Sequence, residues 1–239
     1  MYPHLQMITR PNEYSPRKAT RSATAEAYTY DSDTFFLFFF TMYQILANIH
    51  LVMSSCMVVF PMDKNIAVSC LHADLLNAHS NFLQTMEGVT NEVASFKPTG
   101  TANPIAGTFA HLVFSEDFFT QGFLKKEKPL FETEWKDKTG ISELQPTEWV
   151  TAYPEWLKRV TVEMDQALTY TKAVFAATEE FVSKLTDPDL EKSVDMSMFG
   201  MGEKSVGNFL GSMITGHANN IMGEISVLKG IQGLKGYPF

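Results

Sequence analysis

Apolar residues recur at steps of three and four along most of the chain beyond its first quarter, which is the spacing of one face of an α-helix. The first such stretch predicts a helix over about residues 63–87, ended by Gly88. A second helix is predicted to start at Asn103, as the N-cap, with Pro104 as its first helical residue, and to run to about Leu124. Both helices carry an apolar stripe and need partners to pack against.

A long, charged connection follows the second helix. It covers residues 125–149, and Pro129, Gly140 and Pro146 interrupt it, so no regular element is expected there. Such a segment is typical of the crossover that joins two helices of a bundle. A glycine-containing turn is expected at residues 195–205.

Two more helices complete the pattern. The third is predicted over about residues 154–185 and is closed by Asp187-Pro188. The fourth is predicted to run from a Ser205 cap to about Gly230. No segment has the alternation of a β-strand. Four helices with one long crossover predict an all-α four-helix bundle over residues 62–239, a class in which sites are built from side chains on facing helices.

The first 61 residues differ from the rest in composition. Residues 1–33 are rich in Thr, Ser, Tyr and Pro without an apolar period, which predicts a disordered leader. Residues 34–61 contain no charged side chain, and about 20 apolar residues can span a bilayer as a helix. This apolar segment outside the bundle is therefore predicted to be a membrane anchor. The second alternative is a non-native extension from a wrong start codon, because a soluble domain begins naturally at Met62. A buried helix is the third alternative.

Charge and motif content limit the partners. The 239 residues carry a formal net charge of −8 and no run of Lys and Arg, which argues against a nucleic-acid partner. The two cysteines form no CxxC motif, in keeping with a reducing compartment. No phosphate-binding loop, GxSxG or HExxH motif is present. We expect a cytoplasmic protein, with anchoring to a membrane through residues 34–61 as the alternative.

Histidines on the predicted helices are the strongest candidates for chemistry. His72 and His79 are seven residues apart on the first helix, too far to share a metal ion, so they are interpreted as surface histidines or as satisfied histidines at the rim. His111 and His217 differ, because each lies in an apolar stretch of a helix that can neighbour the other in a bundle.

Carboxylates and glycines accompany this second pair. Glu116 follows His111, and Glu224 lies two turns after His217. Two histidines and a carboxylate are an accepted ligand set for zinc or another divalent metal. Along the fourth helix, glycines recur every seven residues and predict the close approach of a neighbouring helix, in the same chain or across a homodimer: Gly216, Gly223 and Gly230.

Two stretches carry a resemblance to a known family: AGTFAHLVFSED at residues 106–117 and GHANNIMGEISVLKGIQGLKGYPF at residues 216–239. In them the chain resembles the DinB/YfiT-like four-helix bundle superfamily, which includes metal-dependent thiol S-transferases. The resemblance covers about residues 63–239. It implies a divalent ion such as zinc or nickel, held by one histidine on the second helix and by an HxxxH pair on the fourth.

Carried over residue by residue, the resemblance implies that His111 and His217 are the first two ligands. Ile221 stands where the third histidine is expected. A catalytic zinc site usually keeps three protein ligands and one open position, so this site is degenerate. The candidates to replace the missing ligand are Glu224, Asn220 and Glu116.

Three functional hypotheses follow. The first is a divalent-metal-dependent transferase or hydrolase that acts on a thiol or another small molecule at the degenerate site. The second is a metal-free bundle that binds a small apolar molecule or a protein partner. The third is a structural homodimer without catalysis.

Overall fold

The computed structural model of the chain describes residues 65–148 and 151–239, which belong to one compact unit, Pro61–Phe239. The leader and the apolar segment of residues 1–61 lie outside the described residues. The anchor and extension hypotheses for that segment therefore stay predictions. In the described part of the chain, no helix has the length and apolar character needed to cross a bilayer.

Helices make up most of the described residues. Two π-helical segments lengthen them: Phe118–Leu124 continues the helix Ile105–Asp117, and Leu210–Gly216 joins the helices Val206–Phe209 and His217–Ile231. The α-helices are α1 (Ile66–Thr85), α2 (Asn91–Ser95), α3 (Ile105–Asp117), α4 (Ala152–Arg159), α5 (Met164–Ser183), α6 (Asp187–Leu190), α7 (Val206–Phe209) and α8 (His217–Ile231), and 3-10 turns lie at Leu130–Glu132 and Ser197–Phe199.

Four long helices, α1, α3, α5 and α8, form the body of the domain. Helices α1 and α3 each pack against both α5 and α8, so the four enclose a common apolar interior. Burial of a large apolar side chain there contributes roughly 2 kcal/mol. This mostly helical architecture agrees with the predicted all-α class. The largest buried aromatic side chains of this interior are Phe82, Phe109, Trp156 and Tyr170.

The start of α1 is capped from a distant part of the same domain. The Asp187 carboxylate accepts hydrogen bonds from the N–H groups of Ala67 (3.2 Å) and Val68 (2.9 Å). The Asp187 N–H in turn donates to Asn65 Oδ1 at 3.2 Å. Two of the N–H groups that every helix start leaves without an internal partner are thus satisfied by residues of the domain itself.

The second helix begins one residue later than predicted. Pro104 has a ψ of 154°, which is extended, so it takes the N-cap position that was predicted for Asn103, and α3 starts at Ile105. At the other end, the π-helical segment continues the helix to Leu124, as predicted.

The predicted third helix is wrong as a single element, because it is broken between α4 and α5. The break contains the β-branched run Val160, Thr161 and Val162, which favours extended backbone. There Val162 forms a β-bridge with Ile141 of the crossover, and Glu163 N–H donates to Gly140 O at 2.7 Å. Hydrogen bonds to the crossover therefore stabilise the extended segment between α4 and α5, and a continuous helix would not make these hydrogen bonds.

The turn predicted at residues 195–205 contains the loop and the second strand of a β-hairpin. The sequence did not indicate this hairpin. Strand β1 (Ser193–Asp195) pairs antiparallel with β2 (Glu203–Ser205). Strands of three residues are too short to show an alternating pattern. The Ser205 cap is confirmed, since its side chain accepts a hydrogen bond from Asn208 N–H at 3.1 Å and starts α7.

Candidate functional site

His111 and His217 meet across the contact between α3 and α8. Their Nε2 atoms are 3.1 Å apart, and their rings cross at 70° with centroids 4.8 Å apart. His111 lies in the second turn of α3, and His217 is the first residue of α8. We call these two residues the histidine pair. The sequence placed both on helices that can face each other, and the structure brings them into direct contact.

Both π-helical segments lie close to the histidine pair. Leu210–Gly216 ends directly before His217, and Phe118–Leu124 begins three residues after Ser115, which contacts His111. A π-helical turn inserts an extra residue and rotates the side chains that follow it. Such turns are rare and frequently occur at functional sites.

Helix α4 covers the His111 side of the pair. It approaches α3 closely at Gly107, where a Cβ would lie only 2.0 Å from the Leu157 carbonyl oxygen. Glycine is therefore required for this contact. The approach lets Tyr153 of α4 pack edge-to-face on the His111 ring, with centroids 5.2 Å apart.

Hydrogen bonds at Nδ1 fix the orientation of His111. Gln145 Oε1 lies 3.0 Å from this atom and Ser115 Oγ lies 3.2 Å from it. Because the Gln145 oxygen can only accept, we assign the Nδ1 proton to His111. The His111 Nε2 lone pair then accepts the Nε2–H of His217. A single proton, carried by His217 Nε2, thus forms the hydrogen bond between the two neutral rings.

Burial keeps both members of the pair neutral. Burial lowers the pKa of His217 to about 4, helped by the proximity of His111. Burial also lowers the pKa of His111, although its hydrogen bond to Gln145 opposes the shift. Neutral imidazole is the form that binds metal ions and the form that accepts protons.

The histidine pair supplies two ligands for a metal ion, and the third predicted position does not supply one. Two nitrogens bound to one tetrahedral zinc ion lie about 3.3 Å apart, given Zn–N bonds of about 2.05 Å, so the 3.1 Å separation is suitable. Ile221, one turn after His217, is buried and apolar. Among the described residues, no group of three His, Cys, Asp or Glu side chains is arranged to hold a metal ion. The residues therefore fit a two-histidine site and not a three-ligand one.

The candidate replacement ligands lie elsewhere or face outward. Asn220 and Glu224 are exposed on α8. The negative charge of Glu224 contributes, after burial, to a raised pKa of Tyr153, which places this carboxylate on the same side of the domain as the histidine pair. Glu116 is fully buried, but its carboxylate faces His79.

His79 lies in a second site and is fully buried, so its interpretation as a surface or rim histidine is wrong. Its Nδ1 bonds to Glu179 Oε1 at 2.7 Å, and its Nε2 lies 3.0 Å from Glu116 Oε1. The latter contact is an ion pair by distance, but its angle is not that of a hydrogen bond. The ring stacks on Phe175 at 3.8 Å. We call His79, Glu116 and Glu179 the His79 cluster.

The protonation of His79 differs from that of the histidine pair. Burial lowers the His79 pKa, but the charges of Glu116 and Glu179 and the hydrogen bond to Glu179 outweigh burial and raise it to about 9. The ring is therefore protonated at neutral pH. One sequence signal pointed to this site: His79 lies one turn after Leu75, on the apolar stripe of α1.

No described helix packs on the three glycines that recur along the predicted fourth helix. The prediction of a closely approaching helix is therefore wrong within the described chain. A Cβ on Gly223 would meet the Tyr237 hydroxyl of the C-terminal tail at 3.4 Å, and one on Gly216 would meet a carbonyl of the preceding turn. A Cβ on Gly230 would meet nothing within 4 Å. The homodimer stays a prediction.

Comparison with known proteins places these observations in a family. A family model described as the DinB superfamily matches residues 74–221, a range that contains His79, His111 and His217. A crystal structure of a conserved protein from Enterococcus faecalis is similar in fold, with a TM-score of 0.55 and 20% sequence identity. The match covers 68% of this chain and 96% of that one. No curated protein matches the chain.

Proposed function

Because the chain belongs to the DinB superfamily, we propose that its histidine pair is the divalent-metal site of a metal-dependent transferase or hydrolase. This site would have two protein ligands instead of three. The observation that supports this proposal is the 3.1 Å separation of the two Nε2 atoms, which come from different helices. Zinc or nickel held there would lower the pKa of a bound thiol or water.

The chain's own residues prepare the pair for this role. Gln145 accepts the Nδ1 proton of His111 and so directs the Nε2 lone pair toward His217. Histidines that bind metals usually have such a hydrogen-bond partner on the second nitrogen. The lowered pKa of each histidine keeps the rings free of extra protons at neutral pH.

The missing third histidine determines how tightly the pair would bind. Ile221 supplies no donor atom, so external ligands, such as the substrate itself, must fill the remaining positions. We therefore expect weak, reversible binding of Zn²⁺ or Ni²⁺ by the wild-type chain, and loss of binding in His217→Ala.

Restoring the third histidine is the sharpest test. We expect Ile221→His to tighten Ni²⁺ binding by more than about 100-fold, since even an outer partner of a ligand is worth 10–100-fold. The matched control is Val227→His, which adds a histidine at an exposed position of the same helix. Affinities would be measured by competition with a chromophoric chelator. Equal affinities of the two variants would show that His111, His217 and position 221 do not converge on one ion.

A metal-free bundle is the second candidate, and the shared proton of the pair favours it. The Nε2–H···Nε2 hydrogen bond satisfies both rings without an ion. The chelator competition compares the wild-type chain with Ile221→His. If Ile221→His binds Zn²⁺ or Ni²⁺ and the wild-type chain binds neither, the three positions converge but the natural chain does not use them for metal. This result would overturn the metal proposal.

A further inference from the structure

We propose that a cavity next to the histidine pair binds an uncharged, two-ring aromatic molecule that carries a hydrogen-bond acceptor at one end. The cavity has a volume of about 360 Å³ and lies between α3 with its π-helical continuation, the crossover and the hairpin loop. We call it the aromatic cavity. The lining residues that carry the argument are Phe114, Phe119, Phe131, Phe199, Ser115 and Gln145.

The volume of the cavity sets the size of the ligand. A buried apolar cavity of about 150 Å³ holds one benzene molecule. The aromatic cavity therefore has room for about two fused rings, and it lies within the range of small-molecule sites. It is too small for a peptide or a lipid chain of ordinary length.

The walls are apolar and held in place by other rings. Phe131 packs edge-to-face on Phe114 with centroids 5.3 Å apart, and Phe199 packs in the same way on Phe119 at 5.5 Å. Such contacts fix the ring planes before a ligand arrives, which lowers the cost of binding. A flat aromatic molecule complements these walls better than a branched aliphatic one.

Two exposed apolar side chains stand at the mouth. Met198 is 67% exposed and Leu144 is 55% exposed, and both line the cavity. Large exposed apolar groups beside a concave apolar surface mark binding sites, and methionine adapts its shape to a ligand.

Polar groups at the inner end select the ligand's functional group. Ser115 and Gln145 line the cavity and both contact His111. Since the Gln145 oxygen accepts from His111, its amide NH₂ group is left to donate, as is the Ser115 hydroxyl. Of the described residues that line the cavity, Glu132 is the one with a charge, and it is negative. The site therefore favours an uncharged ligand with a carbonyl oxygen or ring nitrogen and disfavours a carboxylate.

Three probes, each with two fused rings, test this class on the full chain, with EDTA present so that metal binding plays no part. Coumarin has two rings and a carbonyl, naphthalene lacks the carbonyl, and 2-naphthoate carries a negative charge. We expect coumarin to bind with one site per chain and a Kd near 0.1 mM, about the value for an 11-atom ligand of ordinary efficiency. Naphthalene and 2-naphthoate should each bind at least about fivefold more weakly. Binding would be measured by calorimetry and ligand-observed NMR.

A matched pair of methionine variants locates the site. Met198 lines the cavity, and Met201 is exposed in the same hairpin loop without lining it. We expect Met198→Ala to weaken coumarin binding about fivefold, the effect of losing one apolar contact. Met201→Ala should leave binding unchanged. Equal effects of the two substitutions, or no saturable binding of coumarin, would overturn the proposed site.

A substitution at the inner end tests the polar anchor separately. Gln145→Leu removes the amide donor and keeps the volume, so coumarin should lose its preference over naphthalene while naphthalene binds as before. If coumarin keeps its preference in Gln145→Leu, or if 2-naphthoate binds wild-type chain as well as coumarin does, the assigned ligand class is wrong. Because these measurements are made without metal, they fail or succeed independently of the metal proposal.

Discussion

Two histidine sites in one helical domain differ in protonation: the fully buried His79 is charged, and the partly buried histidine pair is neutral. In the His79 cluster, Glu116 and Glu179 raise the pKa of the ring to about 9, so it carries a proton at neutral pH. In the histidine pair, none of the described carboxylates forms an ion pair with His217, and burial lowers its pKa to about 4. Burial lowers the pKa in both places. The carboxylate neighbours alone reverse its effect.

The difference separates a stabilising site from a site suited to chemistry. The His79 cluster joins α1, α3 and α5 by charges that are already paired, which leaves little to offer a ligand. The histidine pair keeps neutral rings beside the aromatic cavity, and its polar contacts with Ser115 and Gln145 continue into the cavity wall. In this domain, the charged His79 between two carboxylates is therefore a structural element, and the neutral histidine pair beside the cavity is the functional candidate.

Removing a carboxylate from the His79 cluster should have the largest effect on stability. Glu116→Gln leaves the protonated His79 ring buried with one ion partner instead of two. Leaving a buried charge without a partner costs roughly 3–5 kcal/mol, and because Glu179 still pairs with the ring, the cost here should lie at the lower end, about 3 kcal/mol. We expect a loss of that size in the free energy of unfolding, measured by urea denaturation at pH 7.

The matched control is Glu224→Gln, which neutralises an exposed carboxylate on α8. Its cost should stay below about 0.5 kcal/mol, as for most surface substitutions. Similar losses in the two variants would mean that Glu116 does not act as the charged partner of His79.

The pH dependence of stability should reveal the raised pKa of His79. A folded pKa of about 9 against the usual 6.5 means that its contribution is complete below pH 6.5 and is lost as pH rises through 9. The full loss is about 3 kcal/mol. Urea denaturation between pH 6.5 and 9.5 should show this decline in wild-type chain and a flatter profile in His79→Gln. Parallel profiles would contradict a protonated His79 in the folded state.

Periodicity and local signals predicted the helices, and the resemblance to the DinB family implied the meeting of the histidine pair. The apolar stripes set the extents of α1, α3 and α8, and the Ser205 cap was visible as a residue type in the right place. His111 and His217 could be paired because each interrupts an apolar face. Helices and caps depend on residues within a few turns of one another, which the sequence shows directly, whereas the contact between His111 and His217 joins residues 106 positions apart.

Features that depend on distant partners were not visible. The break at Val160–Val162 is stabilised by hydrogen bonds to the crossover, and the same residues fit a helical pattern when they are read alone. The His79 cluster joins residues from three helices, so the sequence could place His79 on an apolar stripe but could not identify Glu116 and Glu179 as its partners. The aromatic cavity depends on where the crossover and the hairpin come to rest against α3.

Placing a carboxylate beside the histidine pair should bring its protonation closer to that of the His79 ring, and the stability difference from an uncharged variant at the same position should be the smallest of these effects. Position 221 is one turn after His217, where side chains on a helix are neighbours. In Ile221→Asp, the negative charge should raise the His217 pKa from about 4 toward 6.5. Ile221→Asn is the control, because it has the same shape and polarity without the charge.

The sign of the accompanying stability change follows from the same pKa values. In metal-free wild-type chain, the unfolded state takes up the His217 proton first, so stability falls as pH drops from 6.5 through 4. Raising the folded pKa should make this fall smaller by about 1 kcal/mol in Ile221→Asp than in Ile221→Asn. Imidazole NMR shifts would follow the titration of His217 itself, and urea denaturation at pH 5 and 7 would measure the difference in stability. Identical His217 titrations in the two variants would mean that position 221 does not face the pair, which would also remove the basis for expecting Ile221→His to complete a metal site.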